Sequence, residues 1–258
     1  MKTFEGKTVL VTGASRGIGQ AICAAFGEQG AAVIGLARSD MADTAAALAK
    51  VGGKFFGISA DLSAGTQKEA ADVFASALAK TGRVDALINN AGIIRRAPAV
   101  DFSEQDWNEV LRINLSSPFF LTQAVAKWWL TTGRATAPAD ARLKIVNIAS
   151  LLSFQGGIFV PAYTASKHGI AGVTKALANE WAKERINVNA VAPGYIATEN
   201  TRALREDAVR DKAIRDRIPE GRWGEGSDIA GTCVYLASKA ADYVNGAVLN
   251  VDGGWLGR

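Results

Sequence analysis

Tyr163 and Lys167 stand four residues apart in the run Pro161-Ala162-Tyr163-Thr164-Ala165-Ser166-Lys167. That spacing sets a phenol and an ammonium on one face of a helix, one turn from each other. A phenol near its ordinary pKa of about 10 is a poor base at neutral pH, but a neighbouring cation favours its ionised form, so the pair can give or take a proton. An isolated pair of this kind is an ordinary helix contact. Here Ser150 ends a short apolar run thirteen residues before the tyrosine, and its hydroxyl can hydrogen-bond the same reacting oxygen. Asn114, in a long helix-like segment, is a candidate anchor for a water linking Lys167 to solvent.

A second constellation lies near the N-terminus. The β-branched run Lys7 to Thr12 leads into Thr12-Gly13-Ala14-Ser15-Arg16-Gly17-Ile18-Gly19 and then a helical pattern. Glycines there permit a tight turn and close approach of a pyrophosphate, and the helix N-terminus supplies unpaired N–H groups and a positive dipole end. Gly13, Ser15, Arg16, Gly17, Ile18 and Gly19 are the candidate phosphate-binding residues. Asp61-Leu62 leaves the third strand, where a carboxylate can accept from an adenine amino group, and Asn89-Asn90-Ala91-Gly92 leaves the fourth.

The second strand ends Ala37-Arg38, with no Asp or Glu at positions 36 to 38. A carboxylate there holds free ribose hydroxyls, whereas Arg38 and Arg16 can pair with a 2′-phosphate, which favours NADP(H). If Arg38 instead stacks on the adenine, NAD(H) remains usable. Phosphate turn, serine, tyrosine and lysine together point to hydride transfer between a nicotinamide and a carbonyl or alcohol carbon.

The elements that must position these groups alternate. Strand-like segments at Ala32 to Ala37, Lys54 to Ile58, Ala86 to Asn89, Lys144 to Ile148, Asn187 to Val191 and Ala247 to Val251 are separated by helical patterns. These are Ile18 to Gln29, Met41 to Val51, Gln67 to Thr81, a long Glu104 to Trp129, and Tyr163 to Glu184. Runs apolar on both sides imply strands covered by helices on both faces, hence a single-domain α/β fold, a Rossmann-type doubly wound parallel sheet spanning residues 1–258.

The 258 residues, 48% apolar, show no linker, repeat or low-complexity tract. The net charge of +4 is spread among 25 acidic residues, which argues against nucleic acid as a partner. No apolar run reaches the length of a membrane span and no basic, long-apolar leader opens the chain, so a cytoplasmic location is expected. Cys23 and Cys233 read as buried thiols, with no disulfide and no metal site expected. His168, about 100° around the helix from Lys167, has a packing or solvent role.

On these residues the chain resembles the classical short-chain dehydrogenase/reductases over essentially its whole length. Thr12 to Gly19, Asp61, Asn89 to Gly92, Asn114, Ser150, Tyr163, Lys167 and Pro193-Gly194 fall where that family's motifs lie. The resemblance implies a Ser-Tyr-Lys-Asn tetrad and a homotetramer. It also implies that Pro193, Gly194, Ile196 and Thr198 pass the nicotinamide, and that the charged residues 199–218 form a variable substrate lid.

Within the family, the stretches NNAGIIRR (89–96), SFQGGIFVPAYTASKHG (153–169), RIPEGRWG (217–224) and DYVNGAVLNVDGGWLGR (242–258) are similar to the 2-deoxy-D-gluconate 3-dehydrogenases, also called 2-dehydro-3-deoxy-D-gluconate 5-dehydrogenases. That group implies a keto-deoxy sugar-acid substrate from uronate breakdown, and commonly NAD. Arg95 and Arg96 are then candidate partners of the acid's carboxylate, with Arg222 and a neighbouring subunit's residues 255–258 as competitors, and Gln155 is a candidate partner of its hydroxyls. A 3-oxoacyl-carrier-protein reductase has an almost identical motif set. A protein that only senses the nucleotide needs no acid/base.

Overall fold

The computed structural model describes residues 2–257; Met1 and Arg258 lie outside the described residues. The first half consists of β1 (Thr8–Thr12), α1 (Gly17–Glu28), β2 (Ala32–Ala37), α2 (Ala42–Lys50), β3 (Lys54–Ser59), α3 (Gln67–Thr81) and β4 (Ala86–Asn89). Next come α4 (Glu104–Leu111), a π-helical turn (Arg112–Ser116), α5 (Ser117–Trp128), a second π turn (Trp129–Gly133) and α6 (Arg134–Thr136). The chain ends with β5 (Leu143–Ile148), α7 (Pro161–Trp181), β6 (Ile186–Pro193), α8 (Arg202–Glu206), α9 (Ala208–Arg217), α10 (Gly226–Ala237) and β7 (Val248–Val251).

The seven strands form one sheet in the order β3-β2-β1-β4-β5-β6-β7, every pairing parallel. The order reverses between β1 and β4, and helices that leave these two strands on opposite faces open a crevice at their carboxyl ends. Register makes the two cores. Val9 and Val11 of β1 join Ile22 and Phe26 of α1 and Ile229 of α10 on one face. Leu10, between them, joins Phe74 of α3, Leu121 of α5 and Leu177 of α7 on the other. Phe26 is fully buried, so truncating it to alanine costs about 3–5 kcal/mol.

One departure from the sequence pattern has a physical cause. The expected long helix Glu104 to Trp129 is interrupted at Arg112–Ser116, because Pro118, in the first turn of α5, has no N–H to continue the ladder. A π turn absorbs the extra residue there. The helix-like segment of small and apolar residues around Cys233 is α10; it packs closely on α1 and brings the two cysteines into the same core. Both are buried free thiols, pushed up by burial to about 12. Among the described residues no helix is long and apolar enough to cross a membrane.

Candidate active site

A cleft of about 620 Å³ opens over the carboxyl ends of the strands. It gathers Gly13, Ser15, Arg16, Gly17, Ile18 and Gly19 from the first turn, Arg38 from the end of β2, Asp61 and Leu62 after β3, and Asn90, Ala91 and Gly92 after β4. Ser150, Tyr163 and Lys167 line it too, as do Pro193, Gly194, Ile196 and Thr198 beyond β6. Asn114, Arg95, Arg96 and Gln155 are not part of its lining.

The glycine turn is shaped to receive an anion. Gly13 has φ +66°, and a Cβ on Gly19 would stand 2.0 Å from the Gly13 carbonyl oxygen, so neither position accepts a side chain without moving backbone. At the N-terminus of α1 no side chain caps the free N–H groups and no acidic residue occupies the first turn. Thr12 fixes the neighbouring loop: its Oγ1 accepts from the N–H groups of Asn90 (3.0 Å) and Ala91 (2.9 Å), while Asn90 Nδ2 donates to the carbonyls of Thr12 and Gly13. These features fit a dinucleotide pyrophosphate.

At the cleft's other wall Arg38 Nη1 lies 3.9 Å from Asp61 Oδ1, both side chains more than half exposed, so the guanidinium is loosely tethered. Ser39, which the sequence reading passed over, also lines the cleft, and its hydroxyl donates to Ser15 Oγ at 2.9 Å. Its position next to Arg38 was the available signal.

The deep end holds the polar triad. Ser150 caps the short turn Leu151–Ser153 by accepting from the Leu152 N–H at 3.2 Å, and its hydroxyl lies close enough to the Tyr163 phenol to lower the phenol's pKa. Desolvation pushes the Tyr163 phenol above its ordinary value; the nearby Ser150 hydroxyl and then the positive charge of Arg96 pull it back. Lys167 is buried, its Nζ 5.4 Å from the Tyr163 ring centre, and desolvation lowers its pKa to about 8.

Asn114 sits on the π turn, and its amide brackets Ile93: Oδ1 accepts from Ile93 N–H and Nδ2 donates to Ile93 carbonyl, both at 2.9 Å. Nδ2 also reaches Ser166 Oγ at 3.2 Å. This side chain clamps the segment after β4 to α7. Ser166 donates to the Tyr163 carbonyl (2.7 Å), and Ser153, unremarked in the sequence, donates to the Lys167 carbonyl (2.6 Å).

The two loop arginines part company. Arg95 is paired with Glu109 at 2.8 Å and Asp106 at 3.3 Å. Arg96 donates to the Asn200 carbonyl at 3.1 Å and has no carboxylate within ion-pairing distance among the described residues. Gln155 Oε1 accepts from Trp255 Nε1 at 3.4 Å, Arg222 is paired with Asp228, and His168 is exposed. Leu151, Ile214, Ile218 and Trp255 form a separate small core that seats α9 beside the cleft, with the Arg217 guanidinium 3.9 Å over the Trp255 ring. Of the C-terminal residues 255–258, Arg258 lies outside the described residues.

A family profile described as enoyl-(acyl carrier protein) reductase matches residues 13–256. The 2-dehydro-3-deoxy-D-gluconate 5-dehydrogenase of Bacillus subtilis is 50% identical over 257 residues, covering 99% of this chain and 97% of the relative. A crystal structure of a candidate 2-deoxy-D-gluconate 3-dehydrogenase from Agrobacterium tumefaciens with bound NADP is 55% identical, with a TM-score of 0.91 over 99% of this chain and 98% of that one. A gluconate 5-dehydrogenase from Burkholderia cenocepacia, in complex with NADP and tartrate, is 34% identical with a TM-score of 0.90 over 99% and 97% of the two chains.

Proposed function

The chain belongs to the short-chain dehydrogenase/reductase family, and from that premise we propose that it interconverts a carbonyl and a secondary alcohol on a keto-deoxy sugar acid, using NADP(H). The observation that carries this reading is the meeting of Ser150, Tyr163 and Lys167 in the lining of a cleft whose wall is an uncapped helix N-terminus. The Bacillus subtilis relative supports the substrate class. The cofactor is supported by Arg38, by the absence of a carboxylate at the end of β2, and by the NADP bound in the Agrobacterium structure.

In reduction the phenol of Tyr163 gives its proton to the carbonyl oxygen; in oxidation it takes the hydroxyl proton. The bound nucleotide supplies or accepts the hydride. Ser150 hydrogen-bonds the reacting oxygen, Lys167 Nζ holds the nicotinamide ribose, and Asn114 keeps the Gly92–Ile93 segment in place beneath it. Ile196 and Thr198 receive the carboxamide. Because Arg95 is already paired, Arg96 is the better partner for the sugar-acid carboxylate, with Gln155, oriented by Trp255, for its hydroxyls. Residues 199–218, with α8 and α9, act as the substrate lid. Assembly into a homotetramer and a cytoplasmic location complete the proposal.

The test is Tyr163→Phe. Its nucleotide Kd should stay close to the parent's while turnover of keto-deoxy sugar acids falls by at least about 10²–10⁴-fold. Undiminished turnover ends the mechanism. Consumption of NADPH by the parent with acetoacetyl thioesters but not with keto-deoxy sugar acids ends the substrate assignment.

A further inference from the structure

We propose that Arg205, on α8, is a cofactor-holding residue whose guanidinium pairs with the pyrophosphate of the bound dinucleotide. The inference rests on the cleft being a dinucleotide site. Among the described residues Arg205 is the one residue of α8 and α9 that lines that cleft. Its Nη2 donates to the Thr198 carbonyl at 3.1 Å, and Thr198 in turn packs on the glycine turn, its Cγ2 3.4 Å from where a Cβ on Gly17 would stand. Gly17 is the first residue of α1. Through one intervening residue, the guanidinium is thus brought to the positive end of a twelve-residue helix.

That placement is electrostatically unfavourable unless an anion lies between, because cations are stabilised at helix C-termini and anions at N-termini. Its neighbours show the alternative. Arg202 is paired with Glu199 and Glu206, and Arg215 with Asp211; Arg205, whose charge also acts on Asp211 from farther off, has no carboxylate within ion-pairing distance among the described residues. An exposed guanidinium that is held by a backbone carbonyl and lines the same cleft as the uncapped end of α1 matches the fork geometry of a phosphate. The sugar-acid carboxylate is the weaker candidate, because the contact through Thr198 leads to Gly17 and the glycine turn rather than to Tyr163.

Fluorescence titration of the full-length protein with NADPH and with NADH, no substrate present, tests this in the parent, Arg205→Gln and Arg205→Lys. Both nucleotides carry the pyrophosphate, so the glutamine variant should weaken both by the same factor, about tenfold, and the lysine variant should recover part of the loss. A loss confined to NADPH would move Arg205 to the 2′-phosphate. An unchanged Kd with a raised KM for the sugar acid would move it to the carboxylate. Either outcome overturns the assignment. A parent protein that binds neither nucleotide sinks the reading of the cleft itself, a result separable from both.

Discussion

Lys167 Nζ donates to the Ile148 carbonyl at 2.7 Å, so the amine on α7 is bonded to the last residue of the strand that delivers Ser150. A second bond acts in parallel: Ser153, three residues beyond Ser150, donates to the Lys167 carbonyl at 2.6 Å. Strand end and helix are stitched from both sides, and a shift of α7 along its axis breaks two polar contacts in a buried site.

The buried amine predicts a pH limb. Desolvation lowers Lys167 to about 8, while burial keeps the Tyr163 phenol protonated at that pH. For carbonyl reduction kcat/KM, which reports the free protein, should therefore fall as pH rises through about 8, where the ammonium loses its proton, by up to tenfold per pH unit. Lys167→Arg, whose guanidinium does not deprotonate in this range, should lower the absolute rate and remove the limb. A limb that survives in the arginine variant assigns it to another group.

Ser153 should behave as a positioning residue. Its hydroxyl is buried and donates to Lys167 carbonyl at 2.6 Å, so Ser153→Ala should cost about 1–2 kcal/mol in unfolding free energy and lower kcat several-fold. Nucleotide Kd should hardly change, and Ser153→Thr should restore kcat. Loss of stability with unaltered kcat would reduce the residue to packing.

The parts that could be read from the sequence are those where function forces residue type. Gly13 and Gly19 have no room for a Cβ, and the 150/163/167 spacing follows from one strand end and one helical turn. What stayed hidden depends on contacts distant in the chain. Nothing near Asn114 announces that its amide faces Ile93, and the π turn that presents it follows from a proline four residues later. Adjacent arginines 95 and 96 look alike until Glu109 is seen to engage one of them. Ser153 and Arg205 are ordinary polar residues whose partners, Lys167 and Thr198, lie fourteen and seven residues away.

Cofactor preference should turn on Arg38. Its ion pair with Asp61 is long and exposed, so little holds the guanidinium back from a 2′-phosphate. The parent should favour NADPH in kcat/KM, and Arg38→Asp, which replaces a charge-assisted bond with repulsion, should shift the NADPH/NADH ratio by about 10²-fold or more. Equal use of both nucleotides by the parent contradicts this.

Far from the cleft, Lys144 on β5 should govern stability without touching catalysis. Its ammonium, 5% exposed, donates to Asp242 Oδ1 at 2.6 Å and Asn187 Oδ1 at 3.2 Å, joining β5 to β6 and to the loop entering β7. Removing one partner of a fully buried pair costs about 3–5 kcal/mol; Asp242 is 31% exposed, so Lys144→Met should cost about 1–3 kcal/mol with KM values unchanged. Desolvation, partly offset by Asp242, lowers the lysine's pKa in the folded state. As pH rises towards the ordinary value of 10.5, the unfolded chain then holds the proton longer than the folded one, and folding gains stability. Denaturant midpoints at neutral pH and near pH 10 should therefore show the parent's advantage over the methionine variant widening with pH; a narrowing gap would place the folded pKa above the ordinary one and contradict the burial penalty.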